Sequence, residues 1–328
     1  MLKRLFKILF KMLIVTSLVL IIVGLIILNY AASDIASPSP SGIPSGSATA
    51  LKDPEASNLK IQEVNCLNGK APTLVVEPDT SKPLCKKAST VREQLTERGR
   101  KIAMHGDILG TVVILHGRNG RKENGLGIAE RFCAVGLRCI LIDLPSHGES
   151  PIEHVQFGNT DWEREIPYKV LTECASNIGF NTENVALWGM SMGGSFANAA
   201  ASHPEHGMTW DSLTIVCSFD SLDNVIQKKC KLGWLTNLTS TLCKMHGGPD
   251  FAEVRPVDWA KDISQPVLVT HGDQDELIPS ARGKVLYESY ASEKKKWLTV
   301  ENGNHNNILI TPMPLYAEMA DWVLEHFE

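Results

Sequence analysis

The feature that most narrows the fold is a series of short apolar runs. They are Thr111–Leu115 (TVVIL), Arg138–Ile142 (RCILI), Val185–Trp188 (VALW), Leu213–Phe219 (LTIVCSF), Val267–His271 (VLVTH) and Trp297–Val300 (WLTV). Each is too short for a helix and lacks the polar alternation of a strand with one wet face. Helical patterning lies between them, near 124–135, 162–178, from Ser191 onward, 281–290 and 314–327. Runs apolar on both faces, alternating with helices, predict an α/β chain with a mostly parallel central sheet and helices on both faces. Right-handed crossovers bring the strand C-termini to one edge, where such sheets bind ligands. Less regular strand patterns at Ile61–Val64, Thr73–Val76 and Lys101–Met104 precede these runs.

The residues after the runs are unusual. Gly189-Met190-Ser191-Met192-Gly193-Gly194 separates the VALW run from small residues at helical spacing. Glycine at 189 and 193 permits a turn so tight that the serine backbone is strained and its Oγ stands clear. A helix starting there aims its free N–H groups at the space where an oxyanion would form. The bland alternative is an N-cap serine. Three further loops bear on the choice. His116-Gly117-Arg118-Asn119-Gly120 follows TVVIL and can bring a backbone N–H alongside that of Met192; one such donor stabilises a tetrahedral intermediate by roughly 3–4 kcal/mol. His116 itself reads as structural. His271-Gly272-Asp273-Gln274-Asp275 offers two carboxylates, either able to orient an imidazole. Gly303-Asn304-His305-Asn306-Asn307 supplies that imidazole and completes the chain order Ser, Asp, His. His105, His154, His203, His206, His246 and His326 take structural or surface readings.

With these motifs in view, the sequence from about Thr111 onward resembles the α/β-hydrolase superfamily. Asp143-Leu144-Pro145-Ser146-His147-Gly148-Glu149-Ser150 resembles its D-x-x-G-H-G-x-S segment, with Ser146 in place of the usual glycine. The resemblance implies Ser191 as nucleophile, His305 as base and Asp275 as acid, because D-x-x-I-P starts at 275. It implies Arg118 and Met192 as oxyanion N–H donors, with His116, Gly117, Gly189 and Gly193 shaping the loops. The fold implied is the α/β-hydrolase fold with a short lid, here at about 221–258. The group most alike includes monoacylglycerol lipases, esterases and serine aminopeptidase-like proteins. The reaction implied is hydrolysis of a small or lipid-like carboxylic ester through an acyl-enzyme, needing no cofactor and no metal. A peptidase or acyltransferase on the same triad, or a non-catalytic binding module on a hydrolase scaffold, are the rivals.

Before this domain, residues 59–328, the chain has a different character. MLKRLFKILFK is basic and apolar, and the next 17 residues, 12–28, are uncharged. As a helix that run spans roughly 25 Å, near the lower limit for a bilayer, and Ile8, Leu9 and Phe10 lengthen it. Residues 1–32 therefore read as a transmembrane signal anchor. The rival is a cleaved signal peptide with Tyr30-Ala31-Ala32-Ser33 at the cut, although the run exceeds the usual apolar length of about 7–15 residues. In both cases Lys3, Arg4, Lys7 and Lys11 stay cytoplasmic and the rest lies outside. Residues 33–58, rich in Ser, Pro, Gly and Ala, read as a disordered linker.

Eight cysteines suit an oxidising compartment, with Cys66–Cys85 and Cys230–Cys243 as candidate disulfides and Cys139 and Cys217 as buried thiols. Hydrophobic residues make up 43% of the 328, ample for one large domain, and a net charge of −5 gives no footprint for nucleic acid. Oligomeric state has no signature in the sequence.

Overall fold

The computed structural model describes residues 2–39, 41–203, 209–310 and 314–327; His206 lies outside them. In chain order the elements are helices α1 (Leu2–Ala36) and α2 (Ser45–Lys52), the hairpin β1 (Leu59–Cys66) and β2 (Ala71–Pro78), then α3 (Lys86–Glu97), β3 (Gly110–Leu115), α4 (Leu126–Cys133) and β4 (Leu137–Ile142). There follow α5 (Asp161–Ile178), β5 (Val185–Met190), α6 (Met192–Ala201), β6 (Ser212–Val216), α7 (Leu222–Cys230), α8 (Gly233–Met245) and α9 (Pro256–Trp259). The chain closes with β7 (Val267–Gly272), α10 (Ser280–Ser289), β8 (Lys295–Val300) and α11 (Leu315–Glu325).

The eight strands form one sheet in the order β1-β2-β4-β3-β5-β6-β7-β8. From β4 to β8 every pairing is parallel, while β2 pairs antiparallel with both β1 and β4. Alternate residues of β3 feed two separate cores: Val113 and Leu115 pack on one face, Val112 and Ile114 on the other. That two-sided burial is why its sequence is an unbroken apolar run. Helix termini are set locally. The Thr160 side chain accepts the Glu163 N–H at the start of α5, and Gly179 ends it at φ 88°.

Three expectations need correction. Lys101–Met104 is a loop, not a strand: Met104 is exposed, and Ile102 packs on the helix layer instead of entering the sheet. Residues 33–58 are not a disordered linker. The first helix continues to Ala36, α2 follows, and Ala36, Ser47, Ala50 and Asn58 are buried. This strap has too little apolar surface to fold alone. Its small side chains let the backbone lie close on the domain, and the Ser47 Oγ donates to the Glu123 carbonyl at 2.6 Å. The third correction concerns cysteines, all of which are free thiols. Cys66 and Cys85 pack on opposite faces of the sheet, and the Cys66 Sγ lies 3.4 Å from that of Cys174. Cys230 lines a cavity, whereas Cys243 is buried beneath Ala36 and Gly248.

Helices α7, α8 and α9 all fall between β6 and β7, within or close to the expected insertion at 221–258. Helix α1 packs along α8.

Candidate active site

Ser191 sits between β5 and α6 at φ 53° and ψ −116°, a conformation that costs a non-glycine residue of order 1–3 kcal/mol. Its N–H donates to the Val216 carbonyl at 2.8 Å, which fixes the turn against β6. The flanking glycines are steric necessities. A Cβ on Gly189 would stand 2.3 Å from the Gly193 oxygen, and one on Gly193 would stand 2.0 Å from the Leu115 oxygen. Thus α6 folds back on its own strand and presses onto the end of β3. Gly117 differs, since a Cβ there would meet Met190 at an ordinary 3.4 Å. Met192 opens α6, so its N–H is among the first-turn donors that lack an intrahelical partner.

His116 is a buried strut. Its Nε2 accepts the Leu144 N–H at 3.1 Å, which leaves Nδ1–H to donate to the Gly117 carbonyl at 2.8 Å. Burial holds its pKa down at about 4, so the ring is neutral and ties the loop after β3 to the loop after β4. In that second loop Asp143, fully buried, accepts from the Lys122 N–H at 2.7 Å and the Lys122 Nζ at 3.0 Å. Ser146 stands at φ 65°, where the superfamily pattern has glycine, and its Oγ donates to the Glu153 carbonyl at 2.9 Å. The Arg118 side chain turns away to α1, where Nη2 donates to the Asp34 carbonyl at 2.7 Å and pairs with the Asp34 carboxylate.

Of the two carboxylates after β7, Asp273 is exposed and Asp275 is buried. The Asp275 Oδ1 accepts the Leu277 and Ile278 N–H groups at 3.0 and 2.8 Å; Oδ2 accepts the His305 Nδ1–H at 2.7 Å. Burial pushes this carboxyl up, but hydrogen bonds from His271 and His305, the His305 charge and the Ile278 N–H outweigh it and hold the pKa well below the usual carboxylate range. With the Nδ1 proton committed to Asp275, the lone pair of His305 is on Nε2. The loop carrying His305 is braced by asparagines: the Asn304 Oδ1 accepts the N–H groups of Asn306 and Asn307. It meets the β7 loop because residue 272 has no side chain; a Cβ there would stand 2.1 Å from the Gly303 oxygen.

One contributor escaped the sequence reading. His271 is fully buried with its Nε2 3.4 Å from the Asp275 Oδ2 and 2.8 Å from the Ile278 carbonyl. Its place as the last-but-one residue of β7, beside the acid loop, was the available sign. A metal trio is also conceivable, since Cys217, Asp275 and His305 hold ligand atoms within 4.8 Å of one another. The fit is poor: burial pushes the Cys217 thiol up, and the other two groups are committed to each other.

Ser191 and His305 open on one cavity of about 670 Å³, walled by apolar side chains that include Ile114, Phe157, Phe219, Leu222 and Ile226. Arg118 and Met192 line it too, whereas Asp275 stands behind His305.

Residues 165–328, half of the chain and the half that contains Ser191, Asp275 and His305, match the prolyl oligopeptidase family. The chain belongs to that family. It is a serine hydrolase of the α/β-hydrolase superfamily. This prolyl oligopeptidase family member is 26% identical over 254 residues to the monoacylglycerol lipase of Mycolicibacterium smegmatis, covering 67% of this chain and 90% of that one. With the YqkD protein of Bacillus subtilis it shares 26% identity over 215 residues, 63% of this chain and 68% of the relative. Among solved structures, the esterase Pf2001 of Pyrococcus furiosus superposes with a TM-score of 0.60 at 14% identity, over 90% of this chain and 98% of that one, a likeness of fold.

Proposed function

We propose that the chain is a membrane-anchored carboxylic ester hydrolase that works through an acyl-enzyme. The observation that carries this reading is the 2.7 Å bond from His305 to a deeply buried Asp275, behind a cavity that also holds the strained Ser191. In the proposed cycle the His305 Nε2 takes the Ser191 proton as Oγ attacks the ester carbonyl. Asp275 holds the imidazole tautomer and stabilises its cation. The Met192 and Arg118 N–H groups receive the oxyanion. Protonated His305 then returns its proton to the leaving alcohol, and a water activated at Nε2 releases the acid.

An ester is favoured over a peptide by the apolar lining, and the lipase and esterase names of two similar proteins agree. The family's own name is the observation that favours the second reading, a peptidase on the same triad. Anchoring is supported by one helix long and apolar enough to cross a membrane. The four basic residues in its N-terminal turns favour a catalytic domain on the extracytoplasmic side. The test pairs wild type with Ser191→Ala on p-nitrophenyl esters and amino-acid amides. Ester turnover lost in the variant is expected. Ester turnover retained in Ser191→Ala would end the mechanism, and a preference for amides would reverse the substrate order.

A further inference from the structure

The end of the anchor helix lines the active-site cavity. Leu28, Ala31, Asp34 and Ile35 share that cavity with Ser191 and His305. Their spacing of three and four places them on one face of α1. The adjoining face is docked: Ala32 and Ala36 are fully buried, and a Cβ on Gly248 would stand 2.7 Å from that of Ala36. Polar contacts fix the same turns. Beyond the Arg118 contacts to Asp34, the Val155 N–H donates to the Ala36 carbonyl at 3.0 Å, the Ser37 Oγ donates to the Glu153 carbonyl at 2.8 Å, and the His246 Nε2 lies 3.0 Å from the Asn29 Oδ1. Upstream the side chains are different, with Leu13, Val15, Leu20 and Ile26 all exposed. One unbroken helix is thus bare and apolar for most of its length and is a cavity wall at its end.

Leu28 belongs to both parts. It closes the strongly apolar run and is the first cavity residue. From Leu28 to Ile35 the helix rises about 10 Å, so the cavity begins within two turns of the span. We propose that the end of α1 is a wall of the acyl site, where the long chain of a bilayer lipid ester lies against Leu28, Ala31 and Ile35 and reaches Ser191 from the membrane side. The proposal rests on the Ser191 hydrolase reading. It also requires the anchor to remain attached, because a cut at Tyr30-Ala31-Ala32-Ser33 would remove Leu28 and part of the wall.

The test uses the full chain in detergent micelles and measures Ser191 modification by hexadecyl and ethyl fluorophosphonates, read by mass. The variants are Ala31→Trp and Leu28→Trp, with Val19→Trp, exposed in the middle of the span, as control. Filling the wall is expected to lower the hexadecyl-to-ethyl rate ratio about tenfold or more, since several methylenes lose their seat, while the control keeps the wild-type ratio. An unchanged hexadecyl-to-ethyl ratio in a wall variant that still takes the ethyl probe overturns the proposal. The ethyl rate reports folding in the same sample, so a collapsed Ala31→Trp leaves the decision to Leu28→Trp, where the half-buried leucine already fills the position. If wild type labels yet turns over no ester, the ester reading falls and the wall is still judged by the ratio. If wild type does not label at all, the nucleophile reading and the wall fall together.

Discussion

Asp275→Asn is the sharpest probe of the proposed triad, because it keeps the side chain's volume and removes its charge. In the structure three N–H groups, from Leu277, Ile278 and His305, bond to the two carboxylate oxygens, and the His271 Nε2 stands nearby. An asparagine has one oxygen. Turned toward His305, that oxygen leaves its NH2 facing the Leu277 and Ile278 N–H groups. Turned the other way, the NH2 faces Nδ1 and drives the imidazole proton to Nε2, so the base no longer has a lone pair for the serine. The first arrangement still loses the negative charge 2.7 Å from the imidazolium that forms in the reaction. Removal of this charge in Ser-His-Asp enzymes lowers kcat by up to about 10⁴. At 1.36 kcal/mol per decade, a fall of about 10³–10⁴ here corresponds to roughly 4–5.5 kcal/mol. The loss should appear in kcat more than in KM, since Asp275 stands behind His305. Stability should also drop, by about 1–3 kcal/mol, for the mispaired buried groups. Steady-state hydrolysis of p-nitrophenyl butyrate measures the first effect and a thermal melt the second. Asp273→Asn, at an exposed position, should stay within about twofold of wild type. Activity of Asp275→Asn within tenfold of wild type, or an equal loss in Asp273→Asn, would refute the assignment of the acid.

Two further outcomes follow from the same geometry. Gly193→Ala puts a methyl group 2.0 Å from a backbone oxygen that cannot rotate away, so α6 must shift; a loss of about 3 kcal/mol in a denaturant melt is expected, together with loss of fluorophosphonate labelling. The second concerns acid. Burial holds His116 near pKa 4, and burial followed by the neighbouring His116 charge holds His147 near 3, both below the ordinary 6.5. Folded pKa values below the unfolded ones mean that their contribution to stability is present above pH 6.5 and is lost as the pH falls toward 4 and 3. The melting temperature should fall from pH 7 to pH 4, and His147→Gln should flatten that fall; an unchanged slope would count against a buried neutral ring.

The core of the fold was legible because β3 to β7 are buried on both faces, so their runs stand out without any long-range information. The antiparallel hairpin β1–β2 was half legible. Burial in β1 is interrupted, with Leu59 and Cys66 inside and Lys60, Gln62 and Glu63 exposed, so its pattern is irregular. Helix α3 was invisible because only Ala88, Val91 and Leu95 face inward on an otherwise polar helix. The strap at 33–58 was misread for a thermodynamic reason. Its composition says that it cannot fold by itself, which is true, but a segment can borrow a surface that the rest of the chain has already built. Cys66 shows the same limit: its neighbour Cys174 is 108 residues away, and nothing local points to it.

The candidate site was more legible than the fold around it, and the glycines explain why. Two backbone approaches assemble it. Gly193 lies on the Leu115 oxygen, which brings the serine turn to the end of β3 and to Arg118; Gly272 lies on the Gly303 oxygen, which brings the Asp275 loop to His305. At each approach a side chain would push the loops apart by roughly 1 Å, enough to spoil the alignment of reacting groups. These glycines are therefore consequences of where the polar residues must meet, and they survive in the sequence as G-x-S-x-G, H-G-D and G-N-H. What such motifs leave out is any partner that arrives without a backbone constraint of its own. Asp34 is one: it reaches Arg118 from the end of a long apolar helix, so nothing around it signals a cavity. The same applies to Leu28 and Ala31, which look like ordinary span residues until α1 is seen lying against α8.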